Sequence, residues 1–269
     1  MQPTPCRYLV DPPQPGAWNM AADETMLDAA VQSGSAMLRF YQWQQPTLSL
    51  GYFQPYSQRS CHPSSQQATV VRRLSGGGAL VHDRELTYSL ALPASHPLIQ
   101  NRDNLYVLVH QTLIDTLSDF DIHADVQREP TEAAGHIDSS NATCAFIPSA
   151  EAPFLCFQRH CPGDVLMSDH RHGQPAKILG SAQRRRRGAL LQHGSLLLAI
   201  SPAAPELAGI QDLTGKIPNN SDLLARWSTH LQDCLKLKLI PSDWNPAQHH
   251  SIQRYQQSKY CRSSWTEAR

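Results

Sequence analysis

The chain has 269 residues, 41% of them hydrophobic, with 23 basic and 23 acidic side chains. That length supports one large core, and a formal net charge of zero gives no global field to recruit nucleic acid or an anionic membrane. No run nears the roughly 18 apolar residues that span a bilayer. Met1 to Val10 lacks the apolar centre of a secretory signal, and the seven scattered cysteines, without a Cys-x-x-Cys pair, fit neither a disulfide framework nor structural zinc. A reducing, cytoplasmic address is the expectation.

In chain order, Met20, Met26, Leu27 and Ala30 recur at helical spacing over Asn19 to Ala30, with Gly34 as a stop and Asp23, Glu24 and Asp28 on the polar face. Strand-like runs follow at Ala36–Trp43, Thr47–Phe53, Ala68–Arg73, Gly77–His82 and Leu86–Leu92, the last two joined by Asp83-Arg84-Glu85. Leu105, Leu108, Val109 and Leu113 line one face of a helix over Leu105 to Leu117. Arg128 to Pro153 has no sustained period and reads as a long surface loop. Strand character returns at Phe154–Phe157, Asp164–Met167, Lys177–Ala182 and Ala189–Ile200, with Asp169 to Pro175 as a polar hairpin tip. Leu223, Leu224, Trp227, Leu231 and Leu235 form a helical stripe near the end. The pattern predicts an α/β (α+β) fold, a mixed β-sheet flanked by helices. No repeat is visible, so the chain reads as one domain over 1–269, with a core at about 18–200 and a helical segment at about 203–269.

The densest block is Arg72-Arg73-Leu74-Ser75-Gly76-Gly77-Gly78, followed by Ala79-Leu80-Val81-His82-Asp83. Consecutive glycines tolerate positive φ and bring bare amides against a ligand; a tight hairpin with surface arginines is the structural alternative. A second block comprises Cys156-Phe157, then Lys177-Ile178-Leu179-Gly180-Ser181-Ala182-Gln183, then Gln192-His193-Gly194-Ser195. His170 and His172 lie two apart but find no further ligands, so no metal site is expected.

Taken in order with Asn19-Met20-Ala21-Ala22-Asp23-Glu24, Leu38-Arg39-Phe40-Tyr41 and Pro46 to Gln54, these blocks resemble the lipoate-protein ligase and octanoyltransferase family, a branch of the biotin/lipoate protein ligase superfamily. The resemblance spans about Trp18 to Ile200 and implies that superfamily's catalytic-domain fold. Arg84-Glu85-Leu86-Thr87-Tyr88-Ser89 after His82-Asp83, and Cys156 upstream of the lysine strand, are similar to the cysteine-dependent octanoyltransferases. That branch implies octanoyl transfer from acyl carrier protein to a lysine of a lipoyl domain or a glycine-cleavage H-type protein. Cys156 would be the nucleophile and Lys177 its catalytic partner. Arg72, Arg73, Ser75, Gly76, Gly77, Gly78, His82, Gly180, Ser181 and Ala182 would bind substrate, with Leu74 and Leu80 near the acyl chain. No cofactor is expected. An ATP-dependent lipoate-protein ligase, using ATP and magnesium on the same scaffold, is the alternative; a non-catalytic acyl- or carrier-binding relative is a third reading. Cys161, in Cys161-Pro162-Gly163, is the second candidate nucleophile. Arg184-Arg185-Arg186-Arg187 reads either as a solvated strand end or as a docking patch for an acidic carrier protein.

Overall fold

A computed structural model describes residues 2–128, 153–170 and 173–269. Most of the loop expected over 128–153, including Cys144, lies outside them, as do Arg171 and His172. An eight-stranded mixed sheet runs in the order β11-β1-β2-β6-β10-β9-β8-β7. Its strands are β1 (Thr4–Val10), β2 (Ala36–Tyr41), β6 (Glu85–Leu92), β7 (Asp125–Val126), β8 (Val165–Met167), β9 (Ala176–Arg186), β10 (Ala189–Leu197) and β11 (Leu237–Pro241). β1 runs parallel to both β2 and β11, and the remaining pairs are antiparallel. A second sheet, β4-β3-β5, comprises β3 (Thr47–Leu50), β4 (Thr69–Arg72) and β5 (Leu80–His82).

Alternation on the strands sorts side chains between two cores. Leu38 and Phe40 of β2 face α2 (Arg102–Ser118) and α4 (Asn220–Leu235), where Leu105, Val109, Leu113, Trp227 and Leu231 are buried. Met37 faces the opposite side, packed with Met26, Leu27 and Ala30 of α1 (Gly16–Ser33). The stripe predicted around Trp227 is therefore core, and full burial of that side chain contributes on the order of 2–3 kcal/mol. Gly34 closes α1 with φ 65, the left-handed conformation that a glycine stop supplies.

Several elements differ from expectation. The polar face of α1 is not solvated: Asp23 and Glu24 are 2% and 3% exposed, each neutralised by ion pairs from elsewhere in the chain. The C-terminal segment is not wholly helical. Between α4 and the short helices α5 (Pro246–Tyr255) and α6 (Ser263–Thr266), with α3 (Ile210–Thr214) ahead of them, it returns β11 to the main sheet. The strand expected over Lys177–Ala182 extends further, β9 continuing to a tight corner at Arg187 (φ 46) and Gly188 (φ 84). Two positive φ angles in a two-residue connection match the twist of the flanking strands. Phe154 to Phe157 is not a strand either. Leu155 makes a single parallel bridge with Ala79, and Cys156–Gln158 then winds into a 3₁₀ turn.

Candidate active site

The glycine turn between β4 and β5 is built from one buried guanidinium. Arg73 donates from Nη1 to the Ser49 carbonyl (2.7 Å) and Oγ (2.6 Å), and from Nη2 to the carbonyls of Gly76 (3.1 Å) and Gly78 (2.9 Å). Tyr52 N–H holds the Ser75 carbonyl at 2.8 Å. Gly77 takes φ 93, and a Cβ on Gly51 would overlap the Gly77 carbonyl oxygen. Glycine is thus required on both sides of this approach. The carbonyls of residues 75, 76 and 78 are consumed inward, while the N–H groups of Gly76 and Gly77 donate to no other described residue. Both glycines line a cavity of about 1080 Å³.

Cys156 lines the same cavity. Its backbone is pinned beside the glycine turn, with Cys156 N–H donating to the Ala79 carbonyl at 2.7 Å and Ala79 N–H to Phe154 at 3.2 Å. The 3₁₀ turn leaves its side chain half-buried instead of sealing it in a strand core. Of the free thiols among the described residues, only Cys156 borders the cavity; Cys161 borders it too but is not one of them. Burial pulls the Arg73 guanidinium down to about 10, and the strongest opposing influence is the charge of Cys156. Arg73 and Cys156 both line the cavity.

On β9, Lys177 is buried, lines the same cavity and pairs with Asp164 Oδ2 at 2.7 Å. Asp164 also accepts from Tyr106 OH (2.7 Å) and Cys161 N–H (2.8 Å). The lysine stem crosses Gly180 so closely that a Cβ there would strike Cε and Nζ. Its ammonium lies 5.2 Å from the Phe157 ring centroid, a cation–π contact.

Two residues of α2 complete this wall unanticipated by the sequence reading. Burial pushes His110 down to about 4, so the ring is neutral. Its Nδ1–H donates to the Gly163 carbonyl (2.7 Å), which leaves Nε2 to accept from Ser181 Oγ (2.6 Å). Ser181 in turn accepts from Tyr88 OH (2.7 Å), and Tyr88 from Gln192 (2.7 Å). Gly194 makes room for this chain, since a Cβ there would overlap Ser181 Oγ. Tyr106, four residues before His110, is raised well above the ordinary tyrosine range by burial and by the Asp164 charge. The signal available in the sequence was an aromatic-histidine pair at helical i, i+4 spacing beside the leucine stripe.

Of the predicted site residues, Cys156, Lys177, Arg73, Gly76, Gly77, His82, Gly180, Ser181 and Ala182 line the cavity. Ser75 and Gly78 support the turn from behind. Arg72 points the other way: its guanidinium is spent on the carbonyls of Gly51, Gln54 and Thr266, tying the C-terminal segment to the β3 loop. Leu80 lines the cavity, whereas Leu74 does not and packs in one cluster with the lining residues Met20, Tyr41 and Trp43. The arginine run is divided. Arg186 makes 2.6 Å pairs with Glu24 and Asp28, Arg185 donates to the Ile99 carbonyl, Arg184 stacks over Tyr52, and Arg187 is exposed at the corner.

A glycine turn and a buried lysine lining one cavity beside a mixed sheet define a class. The lipoyl protein ligase A/B catalytic domain family matches over residues 15–214, and the chain belongs to that family. Within it, the chain is 28% identical over 276 residues to octanoyltransferase LipM of Bacillus anthracis, covering 93% of each chain. It is 34% identical over 187 residues to octanoyltransferase LipM of Clostridioides difficile, covering 68% of this chain and 62% of that one. Two solved structures share the fold. One is a bipartite lipoate protein ligase from Thermoplasma acidophilum, described with its E2 lipoyl domain (TM-score 0.71, 16% identity, 98% and 96% covered). The other is lipoate-protein ligase A bound with ATP (TM-score 0.69, 17% identity, 99% of each covered).

Proposed function

We propose that this chain is an octanoyltransferase, moving an octanoyl group from acyl carrier protein through a Cys156 thioester to a lysine of a lipoyl-accepting protein. The carrying observation is the placement of the free Cys156 thiol on the wall of a cavity also lined by Arg73, Gly76 and Gly77, whose glycine amides have no partner among the described residues. The full-length likeness to proteins named octanoyltransferase LipM supports the same reading.

In the first step the Cys156 thiolate attacks the carbonyl carbon of the donor thioester. The N–H groups of Gly76 and Gly77 meet the oxyanion; the carrier's carbon–sulfur bond breaks and its thiolate takes a proton. In the second, the neutral amine of the acceptor lysine attacks the Cys156 thioester. The amide forms, the amine loses its extra proton and the thiolate returns. A thioester is already activated, so neither step calls for ATP. Lys177 turns from Asp164 toward the acyl carbonyl and holds it for attack. Apolar groups on the wall (Met20, Leu80 and Phe157) receive the chain, each buried methylene contributing about 0.8 kcal/mol. The acceptor is a lipoyl domain or a glycine-cleavage H-type protein. The working compartment is the cytoplasm, where a thiol stays reduced. Among the described residues no helix is long and apolar enough to cross a membrane.

The ligase reading draws on the neighbour bound with ATP and the shared glycine turn, which could cradle a phosphate. Acceptor modification separates the two. Octanoyl-acyl carrier protein alone should modify a lipoyl domain at a rate unmoved by ATP. Modification that appears only with ATP, magnesium and free acid would establish the ligase instead.

A further inference from the structure

The glycine turn is held at its N-terminal end by side chains that the transfer chemistry does not use. Ser75 Oγ lies 2.5 Å from His193 Nε2, and His193 Nδ1 lies 2.8 Å from Asp23 Oδ2. All three residues are buried, and they come from three elements: the turn, β10 and α1. Serine, histidine and aspartate in this order are the parts of a nucleophilic triad. Yet Ser75 is 1% exposed and does not line the cavity, whereas His193 does. A hydroxyl sealed behind the wall cannot meet a thioester in front of it.

Proton counting fixes the direction of the bonds at Asp23. Asp23 Oδ1 accepts from Ser89 Oγ (2.7 Å) and Arg39 Nη1 (3.3 Å), and Oδ2 accepts from Tyr41 OH (3.3 Å) as well as from His193. A carboxylate paired with Arg39 only accepts, so His193 Nδ1 carries a proton. The Ser75 hydroxyl and His193 Nε2 share the next bond, at 2.5 Å. The far end of the turn repeats this grammar. Arg73 donates to Ser49 Oγ, so the hydroxyl proton goes to His82 Nε2 (2.7 Å), and His82 Nδ1–H goes to Glu85 (2.7 Å). The turn thus hangs between two buried histidines, each backed by a carboxylate. Buried polar groups are costly unless paired, and a fully paired chain admits one arrangement where apolar packing would admit several.

We propose that Asp23, His193 and Ser75 form a positioning relay that fixes the Gly76 and Gly77 amides at the oxyanion of acyl transfer, His193 being a positioning residue and not the catalytic base. The proposal rests on the octanoyl-transfer reading. It deepens that reading by saying what sets the oxyanion site.

The test is the rate of Cys156 acylation by octanoyl-acyl carrier protein, followed by intact mass, in Ser75→Ala, Ser75→Thr and His193→Gln, each held well below its own thermal midpoint. In Ser75→Ala and His193→Gln the saturating rate should fall about 10- to 100-fold, with the half-saturating donor concentration moving less than about twofold. Ser75→Thr keeps the hydroxyl and should recover most of the loss; the Ser75 pair decides the matter if His193→Gln does not fold. A Ser75→Ala rate within about twofold of wild type, or a loss wholly in half-saturation, overturns the relay while leaving transfer through Cys156 intact. A wild-type protein that is never acylated overturns both.

Discussion

Two cations line the cavity: at the glycine turn Arg73 spends its fork on Ser49, Gly76 and Gly78, while on β9 Lys177 spends its ammonium chiefly on Asp164. The first cation is locked by four short bonds and its donors point at the protein's own backbone. Among the described residues the second has one ion-pair partner and, beyond it, the Arg159 carbonyl at 3.4 Å and the face of Phe157. Planar, multidentate arginine suits a fixed frame, and a flexible ammonium suits a group that must change partner. In the proposed transfer the difference divides the work: Arg73 would hold the glycine dipoles still for the charge that develops, and Lys177 would bring a movable charge to the carbonyl.

The comparison breaks most severely at Lys177. Lys177→Met leaves the buried Asp164 carboxylate without its counterion and should cost about 3–5 kcal/mol in urea unfolding at neutral pH. Adding Asp164→Asn should recover most of that stability but none of the acyl transfer. Recovery of transfer would remove Lys177 from the chemistry.

Neighbouring arginines give the next largest contrast. Arg73→Lys keeps the charge but loses the fork, and Cys156 acylation should slow by about 10²- to 10³-fold. Arg72→Lys should instead lower the thermal midpoint, at about 1–3 kcal/mol for the lost carbonyl contacts, with transfer by the folded protein little changed. Equal kinetic losses in the two variants would erase the distinction between them.

The pH dependence sharpens the lysine wall. His110 is held at about 4, against 6.5 for the free side chain, so between those values the unfolded chain binds a proton that the folded chain refuses. Stability from this site is complete above pH 6.5 and falls away as pH drops toward 4, by about 3 kcal/mol in all. Burial lowers His82 and His96 in the same direction, so acid sensitivity is shared. His110→Gln should flatten, though not abolish, the decline in unfolding free energy measured from pH 7 to pH 4. An unchanged slope would contradict the neutral, bonded His110.

Periodicity revealed α1 with its Gly34 stop, the strands of the β2–β6–β10–β9 centre and the apolar stripe of α4, because each buries a regular face of its own. It missed β1 and β11. Their parallel partnership joins residues such as Thr4 and Leu237 across nearly the whole chain, and β11 carries exposed positions that blur alternation. The candidate site was legible where residue type alone carried meaning: the glycines, Cys156 and Lys177. It was illegible where function depended on which way a strand turned a side chain. Arg72 and Arg73 look alike in sequence, but adjacent residues leave β4 toward opposite sides, one to Thr266 and the other to Ser49. Asp23 read only as part of a polar helix face because its partners, Arg39 and His193, come from β2 and β10. The arginine run read as one patch, though its members have four different environments.

The most direct test of the account is the intact mass of the protein after incubation with octanoyl-acyl carrier protein in the absence of ATP. Wild type and Cys161→Ser should each gain one octanoyl group that hydroxylamine removes, and Cys156→Ser should gain none. An adduct that survives Cys156→Ser, or a wild type that stays unmodified, would contradict transfer through Cys156.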